Sequence, residues 1–457
     1  MRSYWLKQAA LAPRAVRWLA LVAVLALWSP APSWSLPAFA RQTGLPCATC
    51  HTLAFGPALT AYGRNFKLHA YAQGTKKTIP LSADLIESFT HTSQNLPPVP
   101  NYSANNNLAL DQVDGYFAGR IAEDFGAFAQ VTYNRIFRHT SWGVFDARYA
   151  RDFTFGGTNT VLGVSLNNYP TVQDPWNSTY AWQFPFPFAA FANTPTPGGP
   201  QLNGALAFQV LGTTLYTLIA NTVYLEAGGY RKLSDRAQGD LGIPDAANEH
   251  GLDGTAPYWR AALQKTSGPH YASIGILGFS PQEQSPQERS VGTDNYTDLG
   301  YDATYQFANG GPHTFNAYVS YVQERQRLFA TTALGGSATI ANHLNQVNVS
   351  GQYAYKQTYS FTLAYFDTVG NTNPLLYSPG PFFGSANSSP DSTGYTMQLE
   401  CVPFGKFASF ARPWLNVRFG LQYTAYTRFN GGNTNYDGFG HSAHDNNTLF
   451  LFIWTAI

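Results

Sequence analysis

The feature that most constrains the fold is a regular alternation of apolar and polar residues in many short segments after residue 80. In residues 415–427, Leu, Val, Phe, Leu, Tyr and Ala alternate with Asn, Arg, Gly, Gln, Thr and Tyr, and residues 299–307 and 346–353 behave alike. Successive side chains of a β-strand point to opposite faces, so each segment would have one apolar and one polar face. Strands of about ten residues, apolar outside and polar inside, are typical of barrels that span an outer membrane.

We count sixteen candidate strands. They are 81–90, 110–121, 125–137, 142–155, 158–168, 201–211, 214–230, 256–265, 270–280, 293–308, 311–325, 340–356, 358–370, 390–402, 412–428 and 446–457. Most connections after odd-numbered strands are long, 169–199 among them, and 138–141 is the exception. Those after even-numbered strands are short, apart from 403–411. Short periplasmic turns and long external loops are typical of bacterial barrels. We therefore predict an all-β fold, an antiparallel, porin-like outer-membrane barrel over 81–457, rather than a soluble sandwich or a propeller.

Composition excludes several classes of protein. Lys and Arg total 27 and Asp and Glu total 26, so charged residues make up only 12% of the 457 residues. A nucleic-acid partner is not expected, because a protein that binds one would carry a basic patch. After residue 30 no stretch approaches the roughly 18 consecutive apolar residues of a membrane-spanning helix, which excludes a helical membrane protein.

The first 35 residues have the order of charge and hydropathy of a secretory signal peptide. Four basic residues and no acidic one lie in 1–17, an apolar stretch follows at 18–28, and small residues lie at the cleavage site, 33–35. The apolar stretch is short for crossing a bilayer, although an uncleaved anchor is the alternative. Cleavage would remove those four of the 27 basic residues and leave 23 against 26 acidic ones. We predict export to the bacterial outer membrane, with the mature N-terminus in the periplasm.

Cys47 and Cys50 belong to the sequence Cys-Ala-Thr-Cys-His, the C-x-x-C-H pattern of c-type haem attachment. Two thiols three residues apart on one turn can add to the two vinyl groups of haem, and His51 then becomes the proximal axial ligand. A thioredoxin-like dithiol would need a βαβ context, and a zinc site would need another Cys or His pair close by. We therefore predict one haem c bound by Cys47 and Cys50, with His51 on the iron.

The distal ligand of the iron is less constrained. Met397, the only methionine after the signal peptide, shares the apolar face of an alternating run with Leu399 and Cys401. It should point towards lipid, and Cys401 should be an apolar filler on the same face. His69 is the first histidine after His51 and is the candidate distal ligand. The alternative is a solvated His69, with another histidine, water or nothing at the iron.

Residues 36–80 form the predicted monohaem segment, which is too short to surround a haem on all sides. A barrel of sixteen strands leaves a lumen wide enough to accept a plug. We expect the segment to lie inside the barrel or at its periplasmic mouth, where the wall completes the haem pocket. Inward polar residues would then be available to the haem propionates: Asp302, Arg418, Gln422 and Arg428.

Two N-terminal stretches resemble the outer-membrane fused monohaem cytochrome–porin family of iron-oxidising bacteria. They are Phe39-Ala40-Arg41-Gln42-Thr43-Gly44, leading into Cys47-Ala48-Thr49-Cys50-His51, and Pro57-Ala58-Leu59-Thr60-Ala61-Tyr62-Gly63-Arg64-Asn65-Phe66-Lys67-Leu68-His69-Ala70-Tyr71. The motif covers about residues 37–71, and over the barrel the resemblance is one of architecture and length. Ala70 stands where the family pattern has Gly, and the resemblance does not require His at position 69.

The resemblance implies an electron-transfer protein of the iron-oxidase type, a porin-like barrel plugged by its haem segment. Extracellular Fe(II) would be the electron donor, and a periplasmic c-type cytochrome or copper protein would be the acceptor. Carried over residue by residue, it implies that Cys47 and Cys50 bind the haem and that His51 ligates its iron. The cofactor would carry the reaction, so no catalytic side chain is predicted.

Two predicted external loops carry carboxylate and imidazole groups that suit iron. One contains Asp235, Asp240, Asp245, Glu249, His250 and Asp253, and the other contains Asp437, His441, His444 and Asp445. Ordinary solvated loops are the alternative, because transfer at an exposed haem edge needs no dedicated iron site.

Two other functions stay open. The barrel could serve a different extracellular donor, such as a reduced organic shuttle or another cytochrome. It could also be a solute porin whose haem segment is structural.

Overall fold

Strand pairing closes the chain into one barrel. The computed structural model describes residues 37–74, 79–243, 251–285, 288–411 and 413–457, so the predicted signal peptide lies outside the described residues. The wall strands are β1 (Leu81–Thr92), β2 (Asn107–Ala122), β3 (Phe125–Asn134), β4 (His139–Phe155), β5 (Thr158–Asn167), β6 (Val210–Ile219), β7 (Val223–Lys232), β9 (Ala256–Ser267), β10 (His270–Phe279), β12 (Thr293–Ala308), β13 (His313–Arg327), β14 (Ala341–Tyr355), β15 (Tyr359–Gly370), β16 (Ser392–Cys401), β17 (Asn416–Arg428) and β18 (Thr448–Ala456). Each pairs antiparallel with its neighbours, and β1 pairs with β18 to close the ring.

Within the described ranges, therefore, sixteen strands form a closed antiparallel barrel, and the predicted fold class is confirmed. Two short strands, β8 (Gly251–Leu252) and β11 (Gln282–Gln284), pair with each other beside the wall. The remaining pieces are short helices in the long loops: α4 (Asp235–Asp240), α5 (Phe329–Ala333) and the 3₁₀ helices Gln201–Asn203, Arg289–Val291 and Ala443–Asn446.

The register places apolar side chains on the outer surface and polar side chains in the lumen. On β16, Met397 and Leu399 are exposed, whereas Gln398 is buried. Leu399 lies opposite Leu421 of β17, and Gln398 lies opposite Gln422. The period-two alternation of the sequence therefore becomes an apolar exterior, and Met397 points outward as predicted.

Connection length differs between the two ends of the barrel. At one end, which we call the short-turn end, the connections are 123–124, 156–157, 220–222, 268–269, 309–312, 356–358 and the longer 402–415. The connections at the other end, the long-loop end, are longer, with 135–138 as the exception. This is the alternation expected from the sequence.

The predicted sixth and seventh strands, 201–211 and 214–230, are wrong. The sixth strand begins at Val210 and the seventh at Val223, with the turn at 220–222. Residues 201–209 are rich in apolar side chains, but they form a 3₁₀ helix and turns that bury Leu202 completely. The prediction fails here because a buried loop can be as rich in apolar residues as a strand.

That buried loop is part of residues 168–209, which we call the interior segment because they fold into the lumen. Trp176 is only 2% exposed, and the side-chain amide of Gln422 donates to the carbonyl of Pro187 over 3.1 Å. The prediction that 169–199 forms an external loop is therefore wrong. Its aromatic side chains pack against the inside of the wall instead of extending into solvent.

The described residues before the barrel, 37–74, contain three helices and are called the N-terminal segment. The helices are α1 (Pro37–Thr43), α2 (Cys47–Cys50) and α3 (Ala61–Leu68). None of the helices in the described part of the chain has the length and apolar character needed to span a bilayer. The N-terminal segment and the barrel belong to one compact unit.

Candidate haem-binding site

The Cys-Ala-Thr-Cys-His motif forms a single helical turn. Pro46 has an extended backbone and precedes α2, and the amide of His51 donates to the carbonyl of Cys47 over 2.9 Å. Residues three apart on a helix are neighbours on its surface, so the thiols of Cys47 and Cys50 lie side by side. Neither thiol is in a disulfide. His51 leaves the helix in an extended conformation and forms a β-bridge with Leu59.

Helix α3 packs directly on this turn. Thr60 is its N-cap: the Thr60 hydroxyl accepts from the amide of Gly63 over 3.2 Å and donates to the carbonyl of Thr49 over 2.5 Å. The amide of Thr60 donates to the carbonyl of Cys50 over 2.9 Å. A Cβ atom on Gly63 would lie 2.3 Å from that same carbonyl oxygen, so only glycine fits there.

The short-turn end of the barrel holds the motif from the other side. Gln357, between β14 and β15, donates its side-chain amide to the carbonyls of Ala48 and His51 over 2.9 and 3.1 Å. The amide of Ala48 donates to the carbonyl of Gly405 over 3.0 Å. Asn416 of β17 donates to the carbonyl of Ala54 over 2.7 Å. The wall therefore fixes the backbone of the motif and of the loop that follows it through two strand connections and one strand end.

A cavity opens beside the motif. Its lining includes Cys47, Cys50 and His51, and its volume is about 1180 Å³ when the open mouth is counted. The aromatic residues that line it come from the N-terminal segment, the wall and the interior segment: Phe39, Phe55, Phe66, Tyr71, Tyr116, Phe128, Trp182, Phe186 and Trp454. The rings of Phe186 and Trp454 stack 5.3 Å apart, between the interior segment and β18. The lining is therefore mostly apolar.

Burial favours the neutral forms of the two thiols and of the imidazole in the motif. Burial raises the pKa of the Cys47 thiol to about 11 and that of Cys50 to about 12. Burial lowers the pKa of His51 to about 4, and the nearby Arg418 cation acts in the same direction. His51 is therefore a neutral imidazole at neutral pH, which is the form that ligates metals.

A basic residue, Lys67, also lines the cavity. The Nζ of Lys67 donates to the carbonyls of Val172 and Asp174 over 2.5 and 2.8 Å, and to the side chain of Asn177. Burial lowers the pKa of Lys67 to about 7. Lys67 thereby ties α3 to the interior segment.

These residues fit a c-type haem. Two neighbouring free thiols and a neutral imidazole are the donor set that the cofactor needs, and the aromatic lining suits an apolar macrocycle. The Nδ1 atom of His51 is buried and has no hydrogen-bond partner in the described part of the chain. Such an orphaned nitrogen shows that the packing of the protein alone does not satisfy this ring.

The structure places His69 outside the lining of this cavity. His69 is the C-cap of α3, and its Nδ1 lies 2.8 Å from the carbonyl oxygen of Asn65. Its Nε2 lies 3.1 Å from a carboxylate oxygen of Asp152 on β4. Both ring nitrogens therefore have partners, and the structure does not bring His69 to the face that His51 presents.

Most of the other predicted groups also lie apart from the motif. Of the inward polar residues, Arg418 alone contacts the N-terminal segment, whereas Asp302 pairs with Arg260 and Arg428 pairs with Asp391. In the second of the loops predicted to be external, His441 pairs with Asp437 over 2.5 Å. Asp245, Glu249 and His250 lie outside the described residues. Across the residues that are described, no group of three or more His, Cys, Asp or Glu side chains could hold a metal ion.

Sequence reasoning missed the residues through which the wall and the interior segment complete the site. Gln357 and Asn416 sit at strand ends, where an isolated amide carries no signal of its target. The interior segment did carry a signal. Residues 182–191 read Trp-Gln-Phe-Pro-Phe-Pro-Phe-Ala-Ala-Phe, which is far more aromatic than a solvated loop would be.

Comparison with known proteins adds likeness of shape alone. No described protein family and no curated protein matches the chain. The solved structures that resemble it include OmpT, an outer membrane protein of Vibrio cholerae, at 10% identity over 83% of this chain and 98% of that chain, with a TM-score of 0.42. The outer membrane channel DcaP of Acinetobacter baumannii has 10% identity over 82% and 96%, with a TM-score of 0.43. Salmonella typhi OmpF has 10% identity over 82% and 97%, with a TM-score of 0.44. Since these TM-scores are below 0.5, the assignment of the barrel rests on its own strand pairing.

Proposed function

We propose that this chain is an outer-membrane electron-transfer protein that oxidises extracellular Fe(II) through one c-type haem and passes the electrons to a periplasmic c-type cytochrome or copper protein. One observation carries the haem assignment. The thiols of Cys47 and Cys50 and the imidazole of His51 line an apolar cavity inside a closed barrel. Fe(II) as donor and the nature of the acceptor rest on the family resemblance of residues 37–71.

The side chains have separate tasks in this proposal. A haem supplies a one-electron centre when it is bound. Cys47 and Cys50 hold it covalently, and His51 presents a neutral nitrogen to its iron. Trp182, from the interior segment, and Trp454, from the wall, belong to the aromatic lining that would surround the apolar macrocycle.

The two ends of the barrel set a direction. Long loops face the outside and short turns face the periplasm in bacterial barrels. The haem motif lies at the short-turn end, where Gln357 and Gly405 hold it. In this orientation the motif lies on the side of the periplasmic acceptor.

The apolar exterior supports an outer-membrane location. This location can be tested by comparing arginine substitutions at two different depths in the bilayer. Leu363, in the middle of β15, is 47% exposed, and Tyr359, at its first position, is 58% exposed. We expect Leu363→Arg to lower the unfolding free energy by about 2–4 kcal/mol and Tyr359→Arg by only about 0–1 kcal/mol. The reason is that arginine is costly at the bilayer midplane and cheap at the interface. Guanidinium titration of the refolded variants in liposomes measures both values, and equal costs would contradict a bilayer around β15.

A solute porin with a structural haem segment is the second candidate, and the closed sixteen-stranded wall favours it, since barrels of this size can enclose an aqueous channel. The filled lumen counts against it. The interior segment and the N-terminal segment occupy the lumen together and bond to each other, with Asn177 donating to the carbonyl of Pro57 over 3.0 Å. Liposome swelling with sugars separates the two functions, because a sealed conduit should not pass them.

The donor is tested by stopped-flow spectroscopy of purified, haem-loaded protein mixed anaerobically with Fe(II). We expect the bands of reduced haem to appear at a rate that rises with Fe(II) concentration. A haem that dithionite reduces but Fe(II) leaves oxidised would remove iron as the donor. A reduced organic shuttle or another cytochrome would then be tested in the same instrument.

A further inference from the structure

A buried ion pair of the wall packs against the loop that follows His51, on the side of the loop that faces away from the cavity. Arg418 of β17 and Glu400 of β16 are 4% and 5% exposed. The Nε of Arg418 donates to Oε1 of Glu400 over 2.5 Å, and its Nη2 contacts the same oxygen. The other oxygen of Glu400 accepts from the hydroxyl of Ser360 over 2.7 Å. The carboxylate is therefore fixed on both sides.

Arg418 extends from this pair to the haem-binding segment. Its Nη1 donates to the carbonyl of Phe55 over 3.3 Å, and a Cβ on Gly56 would lie 1.8 Å from the same nitrogen. The guanidinium carbon lies 5.7 Å from the centre of the Trp454 ring. Phe55, Gly56 and Trp454 all line the cavity of the motif, so Arg418 contacts the cavity wall from behind.

The close approach at Gly56 depends on its backbone. Gly56 has a φ of +105°, which side chains other than hydrogen rarely tolerate. A glycine in this conformation lets the guanidinium come against the main chain between His51 and Leu59. The conformation of the loop at Gly56 is therefore the one that the contact with Arg418 requires.

We propose that the Glu400–Arg418 pair positions the His51 loop and, by keeping the two buried charges balanced, prevents either of them from shifting the reduction potential of the haem. This inference rests on the proposed haem attachment but not on Fe(II) as the donor. Oxidised haem carries one more positive charge than reduced haem, so a buried cation nearby favours the reduced state and a buried anion favours the oxidised state. In the intact pair the two effects largely cancel.

The test is the midpoint potential of the haem-loaded full-length protein, measured by spectroelectrochemical titration with mediators. We expect Arg418→Gln to lower the potential, because Glu400 is left uncompensated, and Glu400→Gln to raise it. Each shift should correspond to about a tenfold change in the reduction equilibrium, which is 59 mV for one electron. The double variant Arg418→Gln with Glu400→Gln should return towards the wild-type value.

A matched control uses another buried pair of the wall. Arg260 and Asp302 are 2% and 6% exposed and 2.8 Å apart, and neither lines the cavity. Arg260→Gln should leave the potential unchanged. If Arg418→Gln fails to fold, Arg418→Lys can be measured instead. Because lysine keeps the positive charge, the potential of this variant should stay close to the wild-type value.

Shifts of the same sign in both single variants, or no shift, would overturn the charge-balancing role. A wild-type protein without covalent haem would overturn this proposal together with the proposed function. A haem that titrates as expected but is not reduced by Fe(II) would overturn the donor alone.

Discussion

A variant in which both Cys47 and Cys50 are alanine will carry no covalently attached haem and will still form the barrel. The two thiols are neighbours on α2 and are the only thiols that line the cavity among the described residues. The strand pairs that close the wall do not involve the motif. Coexpression with the c-type haem maturation machinery, followed by haem staining of a denaturing gel, measures the expected complete loss.

Cys401→Ala is the matched control for this variant. Cys401 is the last residue of β16 and lies opposite Tyr359 and Phe419, away from the motif. Its removal should leave the stain at the wild-type level. Covalent haem that survives the double replacement of Cys47 and Cys50 would contradict the attachment site. Loss of the folded barrel would contradict the independence of the wall from the motif.

The wall could be predicted because its physical signal is local. On β17, Leu421 and Tyr423 are exposed to the outside and Gln422 is buried, so each residue reports its own face. Turn positions follow where the alternation stops. The prediction failed at 201–211, because apolar residues that bury against the inside of a wall look like residues that face lipid. Alternation indicates two faces, but it does not say what covers each of them.

The motif could be predicted for a different reason. Cys47, Cys50 and His51 lie within one turn, so their spacing alone sets their geometry. The rest of the pocket comes from chain segments far apart in sequence. Gln357 lies 306 residues from His51, and Asn416 lies 362 residues from Ala54. Such contacts depend on the register of the closed barrel, which the sequence pattern does not define to a single residue.

His69 illustrates the same limit. It follows α3 in sequence, and spacing alone allows it to turn towards the haem. In the fold His69 is the C-cap residue of α3, and its Nε2 atom forms a hydrogen bond with the carboxylate of Asp152 on the wall. The prediction that it is the distal ligand stays without structural support, since no described contact brings it to the cavity.

The filled lumen leads to the second large effect. Replacement of residues 170–206 by a short Gly-Ser linker should open a path for small sugars through a lumen that is otherwise filled. The deleted residues contribute no strand to the wall, and β5 ends at Asn167 while β6 begins at Val210, so pairing can persist. We expect swelling of sugar-loaded liposomes to rise above the rate of protein-free liposomes and to stay below that of an open sixteen-stranded porin, because the N-terminal segment remains in the lumen.

A second deletion separates loss of the interior segment from loop shortening in general. Removal of 331–336, between β13 and β14, shortens a long loop that bonds to Asp294 of the wall, and it leaves the interior segment in place. Its swelling should stay low. The contacts that hold the interior segment explain this difference between the two deletions. Lys67 of the N-terminal segment donates to the backbone of the interior segment. The backbone amides of Gln201 and Leu202 donate to the carboxylates of Glu324 and Asp298 of the wall over 2.6 and 2.7 Å. If the intact protein already swells liposomes as fast as an open porin, these contacts do not seal the lumen, and a solute channel becomes the better account of the barrel.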